Sequence, residues 1–200
     1  MLKDGYHDIP AGKIAAIVTH LEMREQVMMR PLIAPEGLTL ETVKQPDCEW
    51  YRDLFMRIGG QDWLWFSRLE LDDAALGAIL NDPDVELYAL MQDGVAQGMV
   101  ELDFRQPDEC ELAFFGLTAQ MIGQGAGRLM MTHAIARAWA RPISRFHLHT
   151  CTLDSPQALG FYQRFGFVAY RRQVEIADDP RLSGGLPRDA GAHVPILSQD

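Results

Sequence analysis

The sequence predicts an α/β (α+β) fold in which a mixed, mostly antiparallel sheet carries helices on its faces. From Leu38 onward, strand-like and helix-like segments follow one another in the order β, α, α, β, β, β, α, β, α, β. The middle three strands are joined by tight turns, so they pair antiparallel. The later β-α-β stretch needs a crossover and therefore a parallel pair, and such a sheet buries its faces under helices.

Each element rests on its own residues. Lys13–Met23 is rich in β-branched residues around Ile17, Val18 and Thr19 and reads as a strand. Arg30–Gly37, with Pro31, Pro35 and Gly37, reads as a linker. Leu38–Val43 alternates apolar and polar residues as a half-buried strand does. Glu49–Ile58 sets Trp50, Leu54 and Phe55 at helical spacing, and Gly59-Gly60 is expected to stop it. Asp72–Leu80 reads as a second helix, ended by Asn81-Asp82-Pro83. Val85–Met91 and Val95–Phe104 form a hairpin about Asp93-Gly94, and Gln106-Pro107-Asp108 turns the chain into Cys110–Thr118. A helix over Gly125–Ala140 follows, closed by Pro142, and then a strand over Arg145–Thr152. Ser155–Phe165 reads as a helix with Ser155 as N-cap and Pro156 in its first position, ended by Gly166. Phe167–Ile176 is the last strand. The expected organisation is an N-terminal extension with one strand over 1–37, one domain over 38–176 and an irregular tail over 177–200.

Bulk properties narrow the function. A chain of 200 residues fills one domain. The net charge of −10 argues against nucleic acid and anionic membranes as partners and is compatible with a cationic amine. No apolar run is long enough to span a bilayer, and the first residues lack the layout of a signal peptide. Cys48, Cys110 and Cys151 are odd in number and contain no C-x-x-C, which fits a reducing, cytoplasmic location without disulfides and without a zinc site. His147 and His149 share one face of a strand and read as packed or solvated strand residues.

The strongest chemical feature is Gly123-Gln124-Gly125-Ala126-Gly127, between a strand and a helix. Alternating glycines let the main chain approach a bulky anion, and free N–H groups at a helix start suit a pyrophosphate. A tight glycine turn with no ligand has the same composition. No Gly-Lys-Ser/Thr follows, and the spacing is not G-x-G-x-x-G, so neither common nucleotide motif is present. About thirty residues on comes Ser155-Pro-Gln-Ala158-Leu-Gly-Phe161-Tyr162-Gln-Arg-Phe-Gly166-Phe167. A glycine-rich turn, a strand and then a helix ending A-x-x-x-Y-x-x-x-G-F together resemble the GNAT N-acetyltransferase superfamily over roughly Leu38 to Ile176.

The resemblance implies a splayed pair of strands that admits the pantetheine of acetyl-CoA, with main-chain bonds from Gly116, Leu117 and Thr118. It places the pyrophosphate on Ile122, Gly123, Gln124, Gly125, Ala126 and Gly127, where Ile122 departs from the family's Arg or Gln. Arg128 would add a cation, or stand as a solvated helix residue. Ser155 replaces a common Asn, and Ala158 and Tyr162 line the cofactor. Tyr162 matches the family's general acid toward the departing thiolate; a core aromatic is the alternative. No metal is implied.

Glu111 is the candidate general base. It precedes Leu117 by six residues, so period two sets both on one face, and some relatives carry a catalytic glutamate at this offset. Its apolar neighbours Leu112, Ala113, Phe114 and Phe115 are expected to raise its pKa. Glu101 is the reserve, and a water chain is the third route. Trp63, Trp65 and Phe66 border the acceptor region in this family and would cover an amine or simply pack the helices. The activity implied is acetyl transfer from acetyl-CoA to a primary amine on a small molecule or peptide. The alternative is a non-catalytic acyl-CoA-binding module. A homodimer is left open.

Overall fold

The computed structural model describes residues 3–28 and 34–198. Of the linker expected over Arg30–Gly37, residues 30–33 lie outside them. Seven strands form one sheet: β1 (Lys13–Met23), β2 (Leu38–Val43), β3 (Val85–Gln92), β4 (Val95–Asp103), β5 (Glu109–Leu117), β6 (Arg145–Cys151) and β7 (Val168–Asp178). Their spatial order is β2-β3-β4-β5-β6-β1-β7. All neighbours are antiparallel except β5 and β6.

The N-terminal strand is thus an interior strand. β1 pairs with β6 along Val18–Met23 and with β7 along Lys13–Glu22, so the two ends of the chain close the sheet together. Local chemistry sets the turns as expected. Asp93 and Gly94 both take positive φ (49° and 77°), the requirement of a type I′ hairpin.

Two layers of helix cover the sheet. On one face lie α1 (Cys48–Phe55), α2 (Gln61–Trp63) and α3 (Asp73–Leu80); on the other lie α4 (Ala126–Ala138) and α5 (Ala158–Arg164). Asp47 caps α1 by accepting from Glu49 and Trp50 amides, and Asp72 caps α3. The first face buries Tyr51, Leu54, Phe55, Leu76 and Met99; the second buries Val100, Leu112, Met130, Ala134, Phe146 and Leu148.

Three expectations change. Gly59-Gly60 does not stop the first helix. The chain passes through them in a π turn, Met56–Gly60, into α2, and ends at Leu64 in the left-handed region (φ 56°). The glycines are there for space: a Cβ on Gly59 would stand 2.1 Å from the Trp65 ring. The helix expected from Ser155 begins at Ala158 without a side-chain cap. The Ser155 hydroxyl instead accepts from the Gln157 amide two residues on, the local bond by which serine competes with helix. The tail is irregular for most of its length but firmly packed. Asp179 caps a short helix, α6 (Pro180–Ser183), and buried Arg181 pairs with Asp179 and donates to the carbonyls of Ala190, Gly191 and Val194. The Gly191 amide then donates to Gln61 O at 2.8 Å, tying the tail to α2.

Candidate active site at the β5–β6 fork

The parallel ladder between β5 and β6 holds only from Glu109↔Arg145 to Glu111↔His147. Beyond it the strands part. On the α4 side the fork holds a wedge of rings: Phe115 of β5 lies 5.6 Å from Phe161 and 6.2 Å from Tyr162, both on α5. A β-bulge on β5 adds to the divergence. Glu101 of β4 faces Phe114 while Leu102 faces Leu112, so Ala113 is the extra residue.

That bulge corrects the expected alignment of Glu111 with Leu117. An extra residue reverses the in–out alternation. Cys110 and Leu112 lie in the α4-side core before the bulge, and Phe115 and Leu117 lie there after it. Glu111 therefore points to the α1/α3 face, the opposite face from Leu117 and the same face as Phe114.

The glycine loop stands at the open end of the fork. Gly123 and Gly125 have φ of 84° and 79°, a region that a side chain strains. No side chain caps α4, and Leu129 is the first residue to donate back, to Gly125 O at 3.1 Å. The amides of Ala126, Gly127 and Arg128 thus point out of the helix mouth, where the helix dipole also favours an anion. Ile122, Gly123, Gln124 and Arg128 are exposed around them, and Gly127 lies between Leu117 and Phe161.

Of the three residues expected to bond the pantetheine, one has main chain free toward the fork. The Thr118 amide donates to Gln97 O (2.9 Å), its carbonyl accepts from Met121 and its hydroxyl bonds the Gln97 side chain. By the alternation of an antiparallel ladder, Gly116 is likewise engaged with β4 and Leu117 turns its N–H and C=O toward β6. Gly116 serves by its lack of a side chain, since a Cβ there would meet Trp65 at 3.0 Å.

Tyr162 is buried on α5 among Phe115, Phe161 and Phe167. Burial pushes its hydroxyl pKa well above the ordinary tyrosine value, and the Asp154 carboxylate adds to the rise, so the phenol keeps its proton. Ala158 packs one turn before it, and Ser155 sits in the turn ahead of the helix.

The α1/α3 side is built from distant side chains. Trp65 lies against Gly59, Gly116 and Phe114, and its indole N–H donates to Asp154 Oδ1 (2.9 Å), bridging the two arms of the fork. Asp154 also accepts from the Thr150 hydroxyl (2.7 Å) and the Cys151 amide (2.8 Å). Of the aromatic cluster, Trp65 alone reaches the fork. Trp63 faces His193 of the tail, and Phe66 packs with the tail cluster around Leu64 and Leu186. Glu101 is fully buried, accepting from the Tyr51 hydroxyl (2.6 Å) and paired with Arg68, whose guanidinium also lies over Phe114. That set makes Glu101 a structural anchor.

Glu111 is the open carboxylate at the crotch. His149 Nδ1 stands 3.5 Å from its Oε1. This neighbour holds the Glu111 carboxyl below the usual range against the opposing effect of burial, the reverse of the expected rise. In return Glu111 lifts the His149 imidazole above its ordinary value. His147, one register step back, moves down through burial. Sequence reasoning read His149, with His147, as a packed or solvated strand residue and did not single out Asp154; the signal for the first was its i+2 spacing from His147 on the fork strand.

The described residues contain no helix long and apolar enough to cross a membrane and no cluster fit for a metal ion. No curated protein matches the sequence. Solved structures share the fold. A GCN5-related N-acetyltransferase from Sphaerobacter thermophilus superposes with a TM-score of 0.62 at 15% identity, over 82% of this chain and 51% of that one. A GNAT family acetyltransferase from Elizabethkingia anophelis with acetyl-CoA bound gives 0.51 at 17%, over 68% and 79%. An aminoglycoside acetyltransferase from an uncultured soil metagenomic sample gives 0.55 at 14%, over 70% and 93%. Several matches are longer chains, of which this one spans 67%, 63% and 51%. The family model described as the acetyltransferase (GNAT) family matches residues 48–167, from α1 through both glycine loop and fork, and the chain belongs to that family.

Proposed function

We propose that the protein transfers an acetyl group from acetyl-CoA to a primary amine. The observation that carries this reading is the fork itself: two parallel strands part after Glu111↔His147, and uncapped helix amides stand at the open end. The residues fit the group. Amides of the Gly123–Arg128 loop would hold the pyrophosphate, with Ile122 and Gln124 flanking it. Leu117 would bond the pantetheine and polarise the thioester carbonyl, beside Gly116 and Thr118, with Ser155 and Ala158 on the opposite arm. Acetyl-CoA, when bound, supplies the activated acyl group.

Tyr162 keeps its proton at neutral pH and delivers it to the departing thiolate. Glu111, coupled to His149, takes the proton of the amine directly or through water. Trp65 forms the wall against which the amine lies, and Glu101 holds that wall through Tyr51 and Arg68. The acceptor is a small molecule or a peptide, and cytoplasmic residence agrees with three unpaired thiols.

The test is calorimetry with CoA and acetyl-CoA, followed by thiol release over a panel of primary amines. Tight CoA binding with amine-dependent release supports the reading. Binding without release from any amine would point to an acyl-CoA-binding module. No binding at all would sink both.

A further inference from the structure

We propose that the exposed edge strand β7 is the seam of a homodimer, with two copies pairing antiparallel about Gln173 to make one continuous sheet. This rests on the edge alone and not on the activity proposed above.

The two edges of the sheet differ. β2 is six residues long, whereas β7 is eleven residues long and contains no proline. Every β7 residue except Ala177 is exposed, including Val168 (65%), Val174 (43%) and Ile176 (53%). Ile17 of β1, paired with Val174, is exposed beside them. A long exposed edge of this kind invites another strand unless something blunts it, and its one bulge, at Tyr170, leaves Arg171–Asp178 in regular register.

The geometry of β1 shows which groups face outward. Ile17 spends its main chain on the β6 side: its amide donates to Thr152 Oγ1 (3.0 Å), and its carbonyl accepts from the Thr152 amide (3.1 Å). Ile17↔Val174 is therefore a non-hydrogen-bonded pair of the β1–β7 ladder. Val174, and by alternation Arg172 and Ile176, turn their N–H and C=O groups outward.

A two-fold axis can then fall only where outward residues meet outward residues. With the axis at Gln173, Arg172 faces the partner's Val174 in a hydrogen-bonded pair, and Arg171 faces the partner's Glu175. Both charge pairs form, one on each side of the axis, in positions where opposed side chains approach most closely. Moving the axis to Arg172 sets that arginine against its own copy. Moving it to Val174 leaves Arg171 opposite an alanine. Among the described residues, neither Arg171, Arg172 nor Glu175 has an ion-pair partner in its own chain, although Lys13 and Asp178 at the end of the same ladder do pair.

The test is sedimentation equilibrium of the whole chain. Wild type should be dimeric. Arg171→Glu and Glu175→Arg alone should each weaken the dimer by about tenfold or more, since each places two like-charge pairs in the seam. Mixed in equal amounts, the two variants should form a heterodimer as tight as wild type, because both pairs are then restored. Circular dichroism of each variant checks that the exposed substitutions leave the fold intact. A monomeric wild type overturns the proposal. So do single variants that dimerise undiminished, or a mixture no tighter than either variant alone.

Discussion

On the α4 side of the fork the chain offers main chain: glycines with positive φ and the uncapped amides of Ala126, Gly127 and Arg128. On the α1/α3 side it offers side chains gathered from far apart: Trp65, Glu101, Glu111, His149 and Asp154. The first side needs one short stretch of sequence in one conformation. The second needs a correctly folded sheet, because no two of those side chains lie on the same element except through β6 and its following loop. If the proposed transfer holds, the α4 side is the cofactor side, met by backbone, and the α1/α3 side is the acceptor side, met by side chains.

The sharpest way to break this comparison is at Glu101. A buried carboxylate paired with Arg68 and Tyr51 holds the α1/α3 layer to β4. Glu101→Ala leaves Arg68 as an uncompensated charge, and such losses run to about 3–5 kcal/mol. Chemical denaturation should show a fall of that size, while the variant that remains folded binds CoA as wild type does. A loss below about 1 kcal/mol would mean that the ion pair is not holding the acceptor side together.

Tyr162 lies on the α4 side yet, in the proposed transfer, acts by its side chain, so it tests the division directly. Tyr162→Phe keeps the ring among Phe115, Phe161 and Phe167 and removes only the hydroxyl. Turnover should fall by roughly a hundredfold or more with CoA affinity unchanged. Equal losses in both would make the tyrosine a packing residue.

In the proposed transfer Glu111 takes the amine proton and His149, 3.5 Å away, is its rival, and pH profiles separate the two. A carboxylate held below its usual range is a weaker base than an ordinary one, whereas an imidazole lifted above its usual value is a stronger one. The groups facing His149 are Glu111 on β5, His147 on β6, His20 on β1, Glu175 on β7 and Asp154 in the loop after β6. If His149 is the base, kcat/KM rises as pH passes upward through its lifted pKa. Glu111→Gln then moves that limb to lower pH with activity kept, and His149→Gln removes it. If Glu111 is the base, the pattern reverses: Glu111→Gln abolishes activity, and His149→Gln moves the limb upward as the carboxyl regains its ordinary pKa. For stability the signs oppose. The His149 contribution is present at low pH and lost as pH rises through its folded pKa, and the Glu111 contribution is lost as pH falls through its own.

The same division explains what was legible in the sequence. Gly123, Gly125 and the Ala158–Tyr162–Gly166 spacing point to the family because their structural features are local: a positive φ, a helix mouth, one face of a helix. Gly59 was legible as a glycine and misread as a stop, because its reason is a ring six residues on that a Cβ would strike at 2.1 Å. The facing of Glu111 was lost to a single bulge residue, Ala113, that no pattern in β5 announces. His149 acquires meaning only from Glu111 across the fork, and Asp154 only from Trp65. The interior place of β1 depends on pairings more than a hundred residues apart in sequence. The capped start of α6 was present in the letters, as Asp179-Pro180, and was passed over inside a stretch read by composition.

Ile122 offers the smallest effect and the cleanest one. It stands at 57% exposure beside the helix mouth. An exposed isoleucine there contributes little packing, so replacing it costs the fold almost nothing. If the loop grips a pyrophosphate by main chain, as the uncapped amides suggest, the protein already binds CoA without help from this side chain. Ile122→Arg then adds a cation to an occupied anion site, worth about 0.3–1 kcal/mol for an exposed charge, or roughly a two- to fivefold gain in CoA affinity. The gain should shrink as salt rises, because screening acts on the added charge and hardly on short main-chain hydrogen bonds. Titrating CoA into both proteins at low and high ionic strength reads all of this. A large gain that persists in salt would show that the wild-type loop lacks a working phosphate grip, and backbone would no longer suffice to explain the cofactor side.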